Sequence, residues 1–245
     1  MKKITLIALV VCISTMIFAE KLVFYTQDFP PFSYEINGVI SGPGAEIINA
    51  VCQKINIEAE FGLFPWKRAI ALAKKGEANA LFVMGWNKKR TEWLYFSPPI
   101  LETEYGLFYS KDSEEIYSSH EDLANKTIGV FGPSNTATSL EKISKKTFFN
   151  IDMTIDDIAA FRKLDAKRID GVYSNKDVGF AMINKLGLKN IKYAGKDRAL
   201  NYFIGFLKNN NSEETVKKFN ACFEELKKNG TIKQILKKYG INSAK

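Results

Sequence analysis

The chain has 245 residues, 46% of them hydrophobic and 25% charged, and 35 basic residues against 27 acidic ones leave a formal charge of +8. The cations are spread over helical faces, as at Lys217, Lys218, Lys227 and Lys228, and no compact basic stripe with interleaved aromatics marks a nucleic-acid interface. A single histidine, His120, and no grouped metal-ligating side chains leave nothing on which to argue a metal centre or cofactor.

The N-terminus reads as an export signal over 1–19. Lys2 and Lys3 open it, residues 4–18 are almost wholly apolar, and Ala19 is a small residue ahead of Glu20. The apolar run falls short of the roughly 20 residues of a comfortable membrane span. Cys12 lies inside that run behind Leu9-Val10-Val11, not behind a small-residue box, so soluble export is expected over a lipid anchor. An uncleaved N-terminal anchor is the alternative. The remainder is long enough for one large domain or two of about 100 residues each.

Strand-like and helix-like segments then alternate. A strand over 22–25 leads through a Pro/Gly-rich stretch to a helix over 45–55, with Pro43 and Gly44 at its start and Glu46 in its first turn, where a carboxylate complements the amide dipoles. Strand 57–61, helix 66–75 and strand 80–84 follow, until Pro98-Pro99 breaks the pattern. Beyond the break come strands 105–109 and 127–131, a helix from about Asn135, and strand 148–153. Helix 155–164, strand 169–173, helix 176–186 and strands 191–194 and 202–207 continue, and helices 213–229 and 231–239 close the chain, parted by Gly230. This alternation predicts α/β layers on mainly parallel sheets. Cys52 sits on the apolar face of Ile47, Ile48, Val51 and Ile55, and Cys222 on that of Val216, Phe219, Phe223 and Leu226. A disulfide and two buried thiols both fit an oxidising compartment.

Two segments concentrate recognition chemistry. Phe64-Pro65-Trp66-Lys67-Arg68 opens a helix, and Gly85-Trp86-Asn87-Lys88-Lys89-Arg90 follows a strand. Two tryptophans and two arginines thus stand at the edges of one helix–strand unit. Aromatic faces sandwich a small organic body, and a guanidinium fork grips a carboxylate through two parallel hydrogen bonds. Capture of a small anionic or zwitterionic solute suits this set better than chemistry on one.

The same region resembles the extracellular solute-binding proteins of polar amino-acid ABC importers. Their run of Gly-x-Asp-Ala, Thr-Pro-Glu-Arg and Phe-Ser-x-Pro-Tyr is matched by Gly76-Glu77-Ala78-Asn79-Ala80, Asn87-Lys88-Lys89-Arg90 and Phe96-Ser97-Pro98-Pro99. The resemblance covers nearly the whole exported chain and implies a periplasmic monomer of two α/β lobes joined by a hinge, with a central ligand cleft. Lobe 1 would comprise 20–102 and 199–245, and lobe 2 would comprise 103–198. It implies Phe29 and Trp66 as the stacking walls and Arg90 as the carboxylate receptor, while Trp86 and Arg68 remain candidates from the residue pattern alone. It also places Ser134, Asn135 and Thr136, in Gly129-Val130-Phe131-Gly132-Pro133-Ser134-Asn135-Thr136, at a strand-to-helix turn that receives the carboxylate from the other side. These three residue types equally serve as helix caps.

Two departures stand out. The aspartate that such binders place after the Ile-Asp-Ala strand to hold the ligand's ammonium is here Asn175, which keeps one acceptor but no charge. The Gly-Phe-Asp helix entry is here Gly42-Pro43-Gly44. The expected function is capture of an amino acid or related small carboxylate for an inner-membrane ABC permease, without catalysis. Two alternatives use the same scaffold: a dehydratase-like enzyme, for which Glu102 and Glu104 are the acids to test, and a sensor acting on a separate membrane receptor.

Overall fold

The computed structural model describes residues 20–241, 243 and 244, so the expected export signal lies outside the described residues. In chain order the elements are β1 (Glu20–Thr26), β2 (Tyr34–Ile36), β3 (Val39–Ser41), α1 (Pro43–Lys54), β4 (Ile57–Leu63), α2 (Trp66–Lys74) and β5 (Ala80–Gly85). A 3-10 turn over Lys88–Glu92, β6 (Leu94–Phe96), β7 (Leu101–Ser110), β8 (Thr127–Phe131), α3 (Asn135–Ser144), β9 (Asn150–Thr154) and α4 (Asp157–Asp165) follow. Then come β10 (Gly171–Asn175), α5 (Lys176–Leu186), β11 (Ile191–Leu207), α6 (Glu213–Lys228) and α7 (Thr231–Lys238).

One sheet runs β4-β1-β5-β11-β7-β10-β8-β9, with β6 also paired to β11. Its outer ladders, β1 with β4 and β5 and β8 with β9 and β10, are parallel as expected. The middle is not. β7 and β11 pair antiparallel with each other, and each also pairs antiparallel with a neighbour in its half. The mainly parallel sheet is therefore corrected to a mixed one. The physical reason is β11: the expected strands 191–194 and 202–207 are one long strand whose middle, Gly195–Asn201, runs half exposed with bulges after Tyr193 and Lys196. A polar, irregular stretch carries no alternating apolar signature. Strands β7 and β11 thus tie a β4-β1-β5 half to a β10-β8-β9 half, meeting around Leu101–Tyr105 and Arg198–Tyr202.

Each half buries its helices for ordinary reasons. β5 is apolar on both faces and buried throughout Ala80–Met84. α6 presents Val216, Phe219, Cys222, Phe223 and Leu226 at helical spacing, and Ser212 caps it by accepting from the Thr215 amide at 3.1 Å. Phe219 enters an aromatic cluster with Phe206 (5.0 Å between centroids) and Phe24 (6.2 Å). Cys52 and Cys222 are free buried thiols on the facing helices α1 and α6, which settles the pair against a bridge.

Two local features shape the site. Between Phe203 and Ile204 of β11 the register slips, so Val83 of β5 has no partner and adopts φ 54°, an uncommon conformation for a β-branched residue. This bulge re-aims Met84 and Gly85 at the junction of the two halves. Gly85 sits close against the opposite half: a Cβ would lie 2.6 Å from Asn135 Nδ2, so that side chain would have to move.

Candidate functional site

The end of β1 turns at Gln27-Asp28-Phe29, where the Phe29 amide donates to the Ser33 carbonyl at 2.7 Å. The turn holds the Phe29 ring edge-on against Tyr202 (5.8 Å) and beside Phe32 (5.7 Å). α2 begins behind Pro65 and sets the half-buried Trp66 opposite. Phe29 and Trp66 line one cavity of about 560 Å³ between the halves; Phe131, Asp157 and Met182 close its far wall.

Beyond Phe29 and Trp66 the cavity narrows to a recess of about 40 Å³ around Arg90. The Asn87 side chain accepts from the Arg90 amide at 3.0 Å, capping the 3-10 turn, and the Arg90 guanidinium folds back to donate to the Gly85 carbonyl. Its Cζ lies 5.7 Å from the Trp66 ring centroid. Burial lowers its pKa from the ordinary value while the Tyr105 and Tyr202 hydroxyls work the other way, and among the described residues no carboxylate pairs with it. Arginine stays protonated regardless. A half-buried, partly desolvated guanidinium without a counter-ion favours an anion beside it.

The β10-β8-β9 half supplies the turn after β8. Ser134 is the helix cap: its Oγ accepts from the Ala137 amide at 3.0 Å and donates to the Phe131 carbonyl at 2.7 Å. Asn135 Oδ1 accepts from Asn87 Nδ2 at 3.1 Å, a direct bond between the halves. Thr136 lines the recess alongside Tyr105. All three line the Arg90 recess, and the amides of Asn135 and Thr136 precede the first helical hydrogen bond, a place where N–H groups commonly receive an anion.

Three expected site residues are not brought there. Arg68 is exposed, lies over the Phe64 ring at 5.3 Å and lines neither the cavity nor the recess. Trp86 is 54% exposed and lines a separate wide groove with Lys88, Lys142 and Arg198. Asn175 is 1% exposed and committed inside the fold. Its Oδ1 accepts from the Asp177 and Val178 amides, capping α5, and its Nδ2 donates to Thr103 Oγ1 (2.9 Å) and the Tyr202 hydroxyl (3.2 Å). An amide cap with both ends bonded has nothing left to offer a ligand.

Three contributors escaped the sequence reading. Tyr105 and Tyr202, buried on the two crossing strands, face Arg90. Asp157, first residue of α4, lines the main cavity and accepts from Ser174 Oγ at 3.0 Å; burial pushes its carboxyl up to about 6. Helix-start acids are common, so only the fold distinguishes this one. The acids named for an enzyme lie elsewhere. Burial works against ionisation of Glu104, but hydrogen bonds from Lys176 and Tyr193 and the charges of Lys176 and Lys196 override it and hold the carboxyl below its usual range. That opposes a general-acid role at neutral pH.

Residues 22–242 match the family described as bacterial extracellular solute-binding proteins, family 3. A probable amino-acid-binding protein of Bacillus subtilis is 28% identical, over 85% of this chain and 79% of its own length. An arginine-binding periplasmic protein of Mannheimia haemolytica is 27% identical over 98% of both chains. An ancestral arginine-binding protein solved with arginine bound superposes with a TM-score of 0.79 at 26% identity, covering 89% of this chain and 97% of that one. The mixed sheet crossed by β7 and β11 is accordingly the two-lobed periplasmic-binding-protein fold, and the chain belongs to family 3 of the bacterial extracellular solute-binding proteins.

Proposed function

We propose that this chain is an exported monomeric receptor that captures an amino acid or related small carboxylate and presents it to an inner-membrane ABC permease. The carrying observation is Arg90, a half-buried cation with no counter-ion among the described residues, in a recess open to an aromatic-walled cavity. That cavity, about 560 Å³, falls inside the roughly 300–1,000 Å³ range of small-molecule sites. The amino-acid- and arginine-binding relatives support the same class of solute.

In this reading residues 20–102 and 199–245 form one lobe and 103–198 the other, and they close on the ligand about the β7/β11 crossing. Phe29 and Trp66 hold the apolar body, Arg90 fixes the carboxylate, and the Ser134–Thr136 turn completes the cage. Asn87 with Asn135 (3.1 Å) and Asp28 with Lys185 (3.7 Å) bridge the lobes on either side of the cleft. The role involves binding and release without bond-making, in keeping with the ionised, lysine-paired Glu104.

Arg90→Ala tests it. Removing one partner of a buried charge pair costs about 2–5 kcal/mol, so affinity should fall by roughly two orders of magnitude for a ligand first found by thermal-shift screening. Calorimetry that finds the affinity unchanged removes Arg90 from the site and the reading with it.

A further inference from the structure

We propose that Asp157 receives the positively charged group of the ligand whose carboxylate rests on Arg90, so that the solute is a zwitterion or cation-bearing acid and not a dicarboxylate. The inference rests on the capture reading above and names the solute class. Two observations converge on it. Asn175, at the end of β10, is spent on capping α5 and on Thr103 and Tyr202, so the strand end offers a ligand neither charge nor a free acceptor.

The residue before it does something else. Ser174 Oγ donates to Asp157 Oδ1 at 3.0 Å, steadying a carboxylate on the wall of the cavity that Phe29 and Trp66 also line. Asp157 pairs with no cation among the described residues. Its neighbour Asp156 is occupied as the cap of α4, accepting from the Ala159 amide, and Asp28 is bridged to Lys185. Lys67, also without an ion-pair partner among the described residues, is exposed at the rim, so the unmatched charges withdrawn from solvent in the cavity and its recess are the cation Arg90 and the carboxylate Asp157. A ligand that is anionic at one end and cationic at the other satisfies both, and charge-assisted hydrogen bonds at each end outweigh neutral ones. A second carboxylate would instead meet like charge. The raised carboxyl of Asp157 fits the same picture: an acid kept partly neutral until a cation arrives.

The test compares Asp157→Asn with the wild-type protein by calorimetry, using L-arginine, L-glutamine and δ-guanidinovaleric acid, the desamino analogue of arginine. Glutamine offers only the α-ammonium, the analogue only the side-chain cation, and arginine both. Loss of about ten- to a hundredfold for arginine and glutamine with the analogue unaffected assigns Asp157 to the α-ammonium. The same loss for arginine and the analogue with glutamine unaffected assigns it to the side-chain cation. Equal affinities in both proteins, or equal losses for all three ligands, overturn the assignment while leaving the capture reading intact. If the wild-type protein binds none of the three at millimolar concentration, both fall.

Should Asp157→Asn not fold, the pH dependence of the wild-type protein decides. The groups around Asp157 are Asp156 beside it, Lys185 on α5, Tyr202 on β11, and Asp28 and Lys67 across the cavity; Asp152 and Asp177 nearby are bonded to Lys163 and Thr103. A bound cation favours the ionised carboxylate, so affinity for the responsive ligand falls as pH drops through about 6. The unresponsive ligand serves as reference. A ratio of the two affinities that stays flat between pH 7 and pH 5 overturns the proposal.

Discussion

Closure of the two lobes can be tested at one contact, because Gly85 and Asn135 touch only across the cleft. A methyl added at Gly85 would lie 2.6 Å from Asn135 Nδ2, well inside contact distance, so the amide must swing away and give up its hydrogen bond from Asn87. The side chain is short but free to rotate, and the cost is chiefly that bond, about 1 kcal/mol. Asn135→Ala removes the same bond directly and also clears room for the methyl. Gly85→Ala and Asn135→Ala should each weaken ligand binding roughly fivefold, and the double substitution should weaken it fivefold as well, since both act on one interaction. Calorimetry of the four proteins gives the cycle. Independent sites would instead multiply to about twenty-fivefold. That outcome, or an unchanged affinity in Gly85→Ala, would refute a closure contact between these residues.

Two further outcomes follow from the core. Phe219→Ala should cost about 3–5 kcal/mol in urea unfolding, because it empties the centre of the cluster with Phe24 and Phe206; a loss under about 1 kcal/mol would mean that these rings do not anchor α6. Burial, with a smaller push from nearby Cys222, raises the Cys52 thiol to about 12, and burial raises Cys222 as well. Since the thiolate is the reactive form, both should resist Ellman's reagent at pH 8 until the protein is unfolded, and rapid labelling of the native protein would contradict their placement.

Much of the fold was legible because its helices carry clear periodic faces. Strand 127–131 and helix 176–186 fall on the residues the pattern predicts. The β2–β3 hairpin lies within the Pro/Gly-rich stretch, and its sequence carries a signal for it. Its Asn37-Gly38 turn, at φ 52° and 80°, is a strong short-range hairpin signal. The antiparallel centre was not readable, since the middle of β11 is polar and bulged where it crosses between lobes. At the site, Arg90 and Trp66 could be picked out from residue type and from the family motif. Asn175 misled because its matched position says nothing of how its amide is spent. Asp157 could not be found, because an acid that opens a helix looks the same in sequence whether it faces water or a cavity.

The way polar groups are satisfied explains why such a molecule should close on a ligand and not on itself. At the crossing most polar side chains are paired within the protein: Thr103 with Asn175 and Asp177, Asn175 with Tyr202, Glu104 with Lys176 and Tyr193, while Asn201 Oδ1 is buried without a partner. That region has no need of a solute and can act as a fixed pivot. The cleft is the reverse. Arg90 holds a carbonyl and an aromatic face but no anion, and desolvating it further by closing the lobes adds cost with no return from the protein. The bridges across the cleft, one amide pair and one exposed ion pair, are worth about 1 kcal/mol and less than that respectively. On the proposed reading they hold the halves together only weakly against the cost of an unpaired, half-buried guanidinium, and an anion on Arg90 would tip the balance toward closure. The proposed function would thus tie closure to occupancy through the desolvation of one side chain.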